Sequence, residues 1–140
     1  MNALTLFSAL ERAAALNREG TGFRYLDRHE RETMRSFPDL AQRAARIAGG
    51  LKAAGVGPGD TVAIILPTTP AFTDVFFAAT HLGAIPVPLY PPVRLGRLDE
   101  YFVRTAQMLD QAGSRVLVTD NRAGKLMGSV VAAASGPIQI

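Results

Sequence analysis

Apolar positions in this chain recur with two periods, and each change of period marks an element. Leu6, Leu10, Ala13 and Ala14 fall at helical spacing, which predicts an amphipathic helix over residues 3–18 that Gly20 and Gly22 end. Phe23 to Asp27 and Glu32 to Phe37 are short runs of strand-forming residues around the charged stretch DRHERE, the pattern of a β-hairpin. Ser36, Pro38 and Asp39 then make a helix start: a capping hydroxyl, a proline tolerated in the first turn, and an acid at the positive helix end. Leu40, Ala44, Ile47, Ala48 and Leu51 form one apolar stripe behind it, and Gly55 closes the helix.

The pattern changes at Thr61. Residues 61–66 are an uninterrupted β-branched and apolar run, as in a parallel strand buried on both faces. Thr69 as cap and Pro70 at the first position start a helix. Phe72, Val75, Phe76, Phe77, Ala78, Ala79 and Leu82 leave that helix almost no polar face, so it is expected to be buried on most sides. Ala84 to Leu89 reads as a strand, and its two prolines, Pro86 and Pro88, point to a sheet edge or a strand end. Leu98, Phe102, Thr105 and Leu109 mark another helix closed by Gly113. Residues 115–119 follow as a strand, 121–134 as a helix, and 138–140 as the opening of a further strand. This alternation predicts an α/β fold, a doubly wound and mostly parallel sheet flanked by helices and joined by right-handed crossovers. An N-terminal helix and a β-hairpin precede it.

Composition narrows the function. The chain has 140 residues, 48% apolar and 19% charged, enough to bury a core in one domain, and no repeat or low-complexity linker divides it. Basic residues number nine against seven acids in residues 1–60 and six against five afterwards, so no basic stripe exists for nucleic acid. Cysteine is absent, which excludes disulfides and thiolate metal sites and suits a cytoplasmic protein. The N-terminus lacks a signal peptide's basic lead and apolar core, and no run approaches the roughly 20 apolar residues of a membrane helix.

Few residues suggest chemistry. Gly55, Gly57 and Gly59 resemble a dinucleotide loop in composition, but they follow a helix and precede a strand, the reverse of the required order. Gly124-Lys125 lacks the upstream glycine and the following hydroxyl residue of a phosphate loop. His29 and His81, 52 positions apart without local partners, make no metal site and are read as structural. Asp99 and Glu100 are adjacent and face different helix sides, so they form no acid–base pair. Ser135-Gly136 is no nucleophile elbow. No catalytic, cofactor-binding or metal-binding residue is assigned. The surface candidate is the proline-fixed exit Tyr90, Pro91, Pro92 and Arg94, beyond the carboxyl end of a strand, as an acyl-pocket wall or a docking loop. The bland reading is a rigid connection into the next helix.

The run GDTVAIILPTTPAFTDVFFAATHLGAIPVPLYPP resembles the opening blocks of adenylate-forming acyl-activating enzymes. SFPDLAQRAARIAGGLKAAGV matches their lead-in helix, and TLFSALERAAALN and FRYLD fall where that family has a helix and a first strand. LYPP with the later SRVLVTD is more similar to fatty acyl-AMP ligases than to acyl-CoA synthetases. The resemblance implies the N-terminal portion of a large adenylation domain, residues 1–140 being a subdomain of it. It also implies a reaction in which a fatty acid carboxylate attacks the α-phosphorus of ATP with magnesium, yielding acyl-adenylate and pyrophosphate. The acyl group then passes to an acyl carrier protein or, in the synthetases, to coenzyme A. The family's phosphate loop, its adenine and ribose motifs and its catalytic lysine have no counterpart in residues 1–140. The expectation is therefore an inactive N-terminal fragment that binds neither ATP nor magnesium and self-associates through uncovered apolar surface. A fragment of an acyl-CoA synthetase, a non-catalytic module binding an acyl chain or carrier protein, and a small nucleotide-binding domain are the alternatives.

Overall fold

The computed structural model describes residues 5–16, 18–92, 95–136 and 138–139. Its centre is strand β3 (Thr61–Ile65). Strands β4 (Ile85–Pro88) and β5 (Val116–Thr119) lie parallel to it on either side, in the order β4-β3-β5. Val62 to Ile65 are fully buried because they face two cores. Val62 and Ile64 join α1 (Leu6–Leu16), α2 (Phe37–Ala53) and α3 (Pro70–His81). Ala63 and Ile65 join α4 (Leu98–Ala112) and α5 (Asn121–Ala133). Covering both faces removes any polar alternation from β3, which is why the sequence there is an unbroken apolar run. The expected doubly wound α/β architecture is thus observed. α3 is buried over most of its surface as expected, against the other two helices of its layer.

The two margins of the sheet differ. Beyond β5, Gln139 pairs in parallel with Val116. Its amide donates to the Arg115 carbonyl and its carbonyl accepts from Leu117, both at 2.8 Å. The expected further strand begins there, and Ile140 lies outside the described residues. On the other side, β4 is an edge among the described residues. The Ile85 amide donates to Asp60 O at 2.7 Å and the Leu89 amide to Ile64 O at 2.9 Å. Alternate residues therefore bond inwards, and Pro86 and Pro88 hold the outward positions, where a missing N–H breaks no ladder bond.

The helix starts follow local chemistry. α1 begins at Leu6, later than expected, because Thr5 and Ser8 exchange amide-to-hydroxyl bonds of 2.9 and 3.0 Å that fix the first turn. Its last helical residue is Leu16, and Asn17 lies outside the described residues. At α2, Ser36 Oγ accepts from the Asp39 amide at 3.2 Å and donates to Asp39 Oδ2 at 2.7 Å, as expected of a cap. Thr69 does not cap α3 as expected. Its hydroxyl turns back to the Pro67 carbonyl, leaving Pro70 to set the first turn. α4 closes at Gly113, which takes φ 67°, and α5 starts from Asp120, whose carboxylate accepts from the Arg122 and Ala123 amides.

The hairpin joins β1 (Gly22–Leu26) to β2 (Glu32–Ser36), paired from Gly22↔Ser36 to Leu26↔Glu32. The Arg31 amide and guanidinium, followed by the His29 amide, hold the exposed Asp27 carboxyl below its usual 3.8 and shape the turn. Gly22 has φ 156°, and a Cβ there would lie 2.2 Å from the Arg35 carbonyl oxygen. Gly22→Ala is expected to cost about 2 kcal/mol, seen as a lower urea midpoint at unchanged slope. An unmoved midpoint would mean that the Gly22–Ser36 pair contributes nothing to stability.

Candidate functional site

The connections leaving β3 and β4 part company. Residues 66–69 run to α3 on one face of the sheet, and residues 89–92 run towards α4 on the other. In an open parallel sheet such a divergence leaves a crevice beyond the carboxyl ends of the strands, the usual place for a ligand. Here Leu66, Thr68 and Phe72 face Pro88, Leu89 and Tyr90 around a cavity of about 320 Å³. A second cavity, of about 370 Å³, lies between the same loop and α4. Leu89, Tyr90 and Pro91 line both, so this short segment is a partition between two grooves.

The partition is anchored at its first two residues. Leu89 donates its amide to β3, and the Tyr101 hydroxyl donates to the Tyr90 carbonyl at 2.8 Å. Pro91 and Pro92, which follow these anchors, fix their own φ. Burial raises the Tyr101 phenol above its usual 10.0, partly countered by Thr105, so it stays a proton donor across the neutral range. Tyr90 itself is 84% exposed, a large aromatic side chain presented to whatever approaches. On α4, Glu100 accepts from Arg104 at 2.9 Å and lies 3.6 Å from Arg97. All three side chains are exposed, so these pairs add little stability and instead give the groove a charged rim.

Of the residues singled out in the sequence, Tyr90, Pro91 and Pro92 line the second cavity, while Arg94 lies outside the described residues. The residues missed by sequence are Arg97, Glu100, Tyr101, Arg104 and Met108, which line the second groove. Their spacings of three, one, three and four already place them on one helix face, beside the stripe Leu98, Phe102, Thr105 and Leu109. A second omission is Asp74, buried to 1% exposure, whose Oδ2 accepts from Arg43 Nε at 2.9 Å and Arg35 Nη2 at 3.3 Å. A lone charge in an otherwise apolar helix was its signal. It ties α3 to α2 and to the hairpin rather than facing either groove.

Among the described residues, neither glycine-rich segment offers magnesium or ATP a fitting site. In the glycine-rich turn, the Gly57 amide is taken by Asp60 Oδ2 at 2.7 Å and the Gly59 amide by Gly83 O at 2.9 Å, and a strand follows. The first turn of α5, with Gly124 and Lys125, is already occupied by the Asp120 carboxylate, which would repel a phosphate. Among the described residues no three of His, Cys, Asp and Glu lie together. His29 sits exposed in the hairpin turn, and His81 ends α3 with its ring 4.1 Å from that of Phe7, both structural positions. Among the described residues no helix is long and apolar enough to cross a membrane.

Known proteins share both sequence and backbone with this chain. Feruloyl-CoA synthase of Amycolatopsis sp is 38% identical over 86 residues, which cover 61% of this chain and 16% of that protein. A structure from work on fatty acyl-adenylate ligases of E. coli and L. pneumophila superposes with a TM-score of 0.84 at 26% identity, covering 94% of this chain and 23% of that one. An acyl-CoA synthetase of Brucella canis shares the fold, with a TM-score of 0.74 at 23% identity over 94% of this chain and 23% of the other. The chain thus spans about a quarter or less of the length of these relatives. Residues 10–137 match the sequence pattern of the AMP-binding enzyme family, and the chain belongs to that family.

Proposed function

We propose that this chain is the N-terminal part of a fatty acyl-AMP ligase. The complete enzyme would join a fatty acid to the α-phosphate of ATP, using magnesium, releasing pyrophosphate and passing the acyl group to an acyl carrier protein in the cytoplasm. The observation that carries this reading is the backbone agreement with a fatty acyl-adenylate ligase, at a TM-score of 0.84 over 94% of the chain. In this reading residues 1–140 supply scaffold. They build the sheet, place the Tyr90–Pro92 partition as a wall of the acyl pocket or a docking loop, and leave ATP and magnesium to residues elsewhere in the enzyme. Ile85, Val103 and Met108, between 41% and 53% exposed, would support self-association in isolation. A coenzyme A acceptor is the second reading, favoured by the 38% identity to a feruloyl-CoA synthase.

Pyrophosphate release with magnesium, ATP and a panel of fatty acids tests this, run on the 140-residue chain and on the longer ligase of the same reading frame. Release is expected only from the longer protein, followed by acyl transfer to a carrier protein in preference to coenzyme A. Release by the chain alone would overturn the scaffold reading, and preference for coenzyme A would move the assignment to the synthetases.

A further inference from the structure

The seam between the hairpin and α3 holds two buried polar atoms that the chain itself leaves unanswered. Asp74 is buried, and both of its ion pairs fall on one oxygen, Oδ2, which accepts from Arg43 Nε at 2.9 Å and from Arg35 Nη2 at 3.3 Å. Its other oxygen, Oδ1, is buried without a hydrogen-bond partner among the described residues. So is Arg35 Nε, the second arm of the same guanidinium fork. A fork closed squarely on a carboxylate sets two parallel bonds of about 2.7–2.9 Å, one to each oxygen. At 3.3 Å from one oxygen this fork stands off instead, leaving a spare donor on β2 and a spare acceptor on α3.

The neighbouring hydroxyls are already engaged. Tyr25 and Thr73 are bonded to each other across the seam, and Thr73 donates to the Pro70 carbonyl at 3.0 Å. Thr33, opposite Tyr25 in the hairpin, is exposed. The two spare atoms ask for a group that both accepts and donates. A metal cation would meet Oδ1 but not an N–H, and two guanidinium groups against one carboxylate would repel it. An anion such as chloride would meet the N–H, leave Oδ1 without a donor, and be repelled by Asp74. A water molecule meets both, and two polar partners are enough to hold one.

We propose that a single water molecule is built into this seam, accepting from Arg35 Nε and donating to Asp74 Oδ1. The fork then reaches the carboxylate directly by one arm and through water by the other, so hairpin and α3 share a link that can lengthen without breaking. The inference stands on these residues and does not rest on the ligase reading.

The proton on Arg35 Nε reports the site directly. The 140-residue chain is isotopically labelled at nitrogen, that proton is assigned through bonds along its own side chain, and its cross-relaxation with water is recorded in NOE and ROE spectra. A peak at the water frequency is expected, opposite in sign in the two spectra, the mark of a water that stays while the protein tumbles. Arg43→Gln is expected to keep the peak, since Arg43 bonds only to Oδ2. Peaks of equal sign would mean an open seam whose proton exchanges with bulk solvent. No peak would mean a fork closed directly on both oxygens, and a saturable shift of the proton with chloride would mean an anion in the seam. Each of these three results overturns the proposal, as does loss of the peak in Arg43→Gln with the hairpin amides unshifted.

Discussion

Asp74→Ala is expected to destabilise the chain by about 3 kcal/mol, because it strands a guanidinium group in a partly dry place. Asp74 is 1% exposed, Arg35 is 21% exposed and Arg43 is 50% exposed. The three come from α3, β2 and α2, so the carboxylate joins hairpin, lead-in helix and buried helix electrostatically. Removing it leaves the partly buried Arg35 without its counter-charge, whereas Arg43 can swing into water. Arg43→Ala is therefore expected to cost much less, about 1 kcal/mol, since Arg35 still answers Asp74. Urea midpoints of the two variants give the comparison, and amide exchange gives its location. Hairpin amides of β1 and β2 should lose protection first in Asp74→Ala. Equal costs for the two variants would place the energy in the exposed pair and refute the buried-charge account.

Ile65→Ala is the second large effect, expected at about 3–4 kcal/mol. Ile65 is fully buried and belongs to the cluster that holds Leu109, Leu117 and Met127, so truncation opens a void between the sheet and α4 and α5. The layer is fixed by parallel strands on both sides of β3 and can close such a void only by moving a helix. Ile85→Ala removes the same atoms from a side chain 53% exposed on the edge strand, and should cost less than about 1 kcal/mol. Thermal or urea unfolding of the pair separates transfer from cavity. Similar losses for both would mean that the second core is loosely packed.

The order of elements was legible because most of them carry their own punctuation. The continuous apolar run of β3, the helix-ending Gly113, and the Ser36–Asp39 cap each act within a few residues, where sequence distance and spatial distance coincide. Thr69 misled for the same reason. Its hydroxyl had two acceptable local partners, and the bend at Thr68 and Thr69 chose the backward one, the Pro67 carbonyl. The site was legible only as a loop. Tyr90, Pro91 and Pro92 announce a rigid exit, but the groove beside them is completed by Tyr101, Arg104 and Met108, a helix turn or more away. Their periodicity was visible, yet nothing within the helix marks that face as part of a groove until the loop folds against it. Asp74 was silent for a related reason: its partners, Arg35 and Arg43, are 39 and 31 residues away.

The two prolines of β4 reach beyond that strand. Every outward position of β4 offers a carbonyl and no N–H, so a stray strand arriving there finds half a ladder and cannot zip up. A chain emerging from the ribosome would finish this sealed margin before it makes the open one at β5, since β4 precedes β5 in sequence. The sheet is then a template with a single growing end, and each later strand has one berth rather than two. That asymmetry guards a half-made parallel sheet, slow to assemble and exposed while it does, against pairing with its neighbours on a crowded polysome.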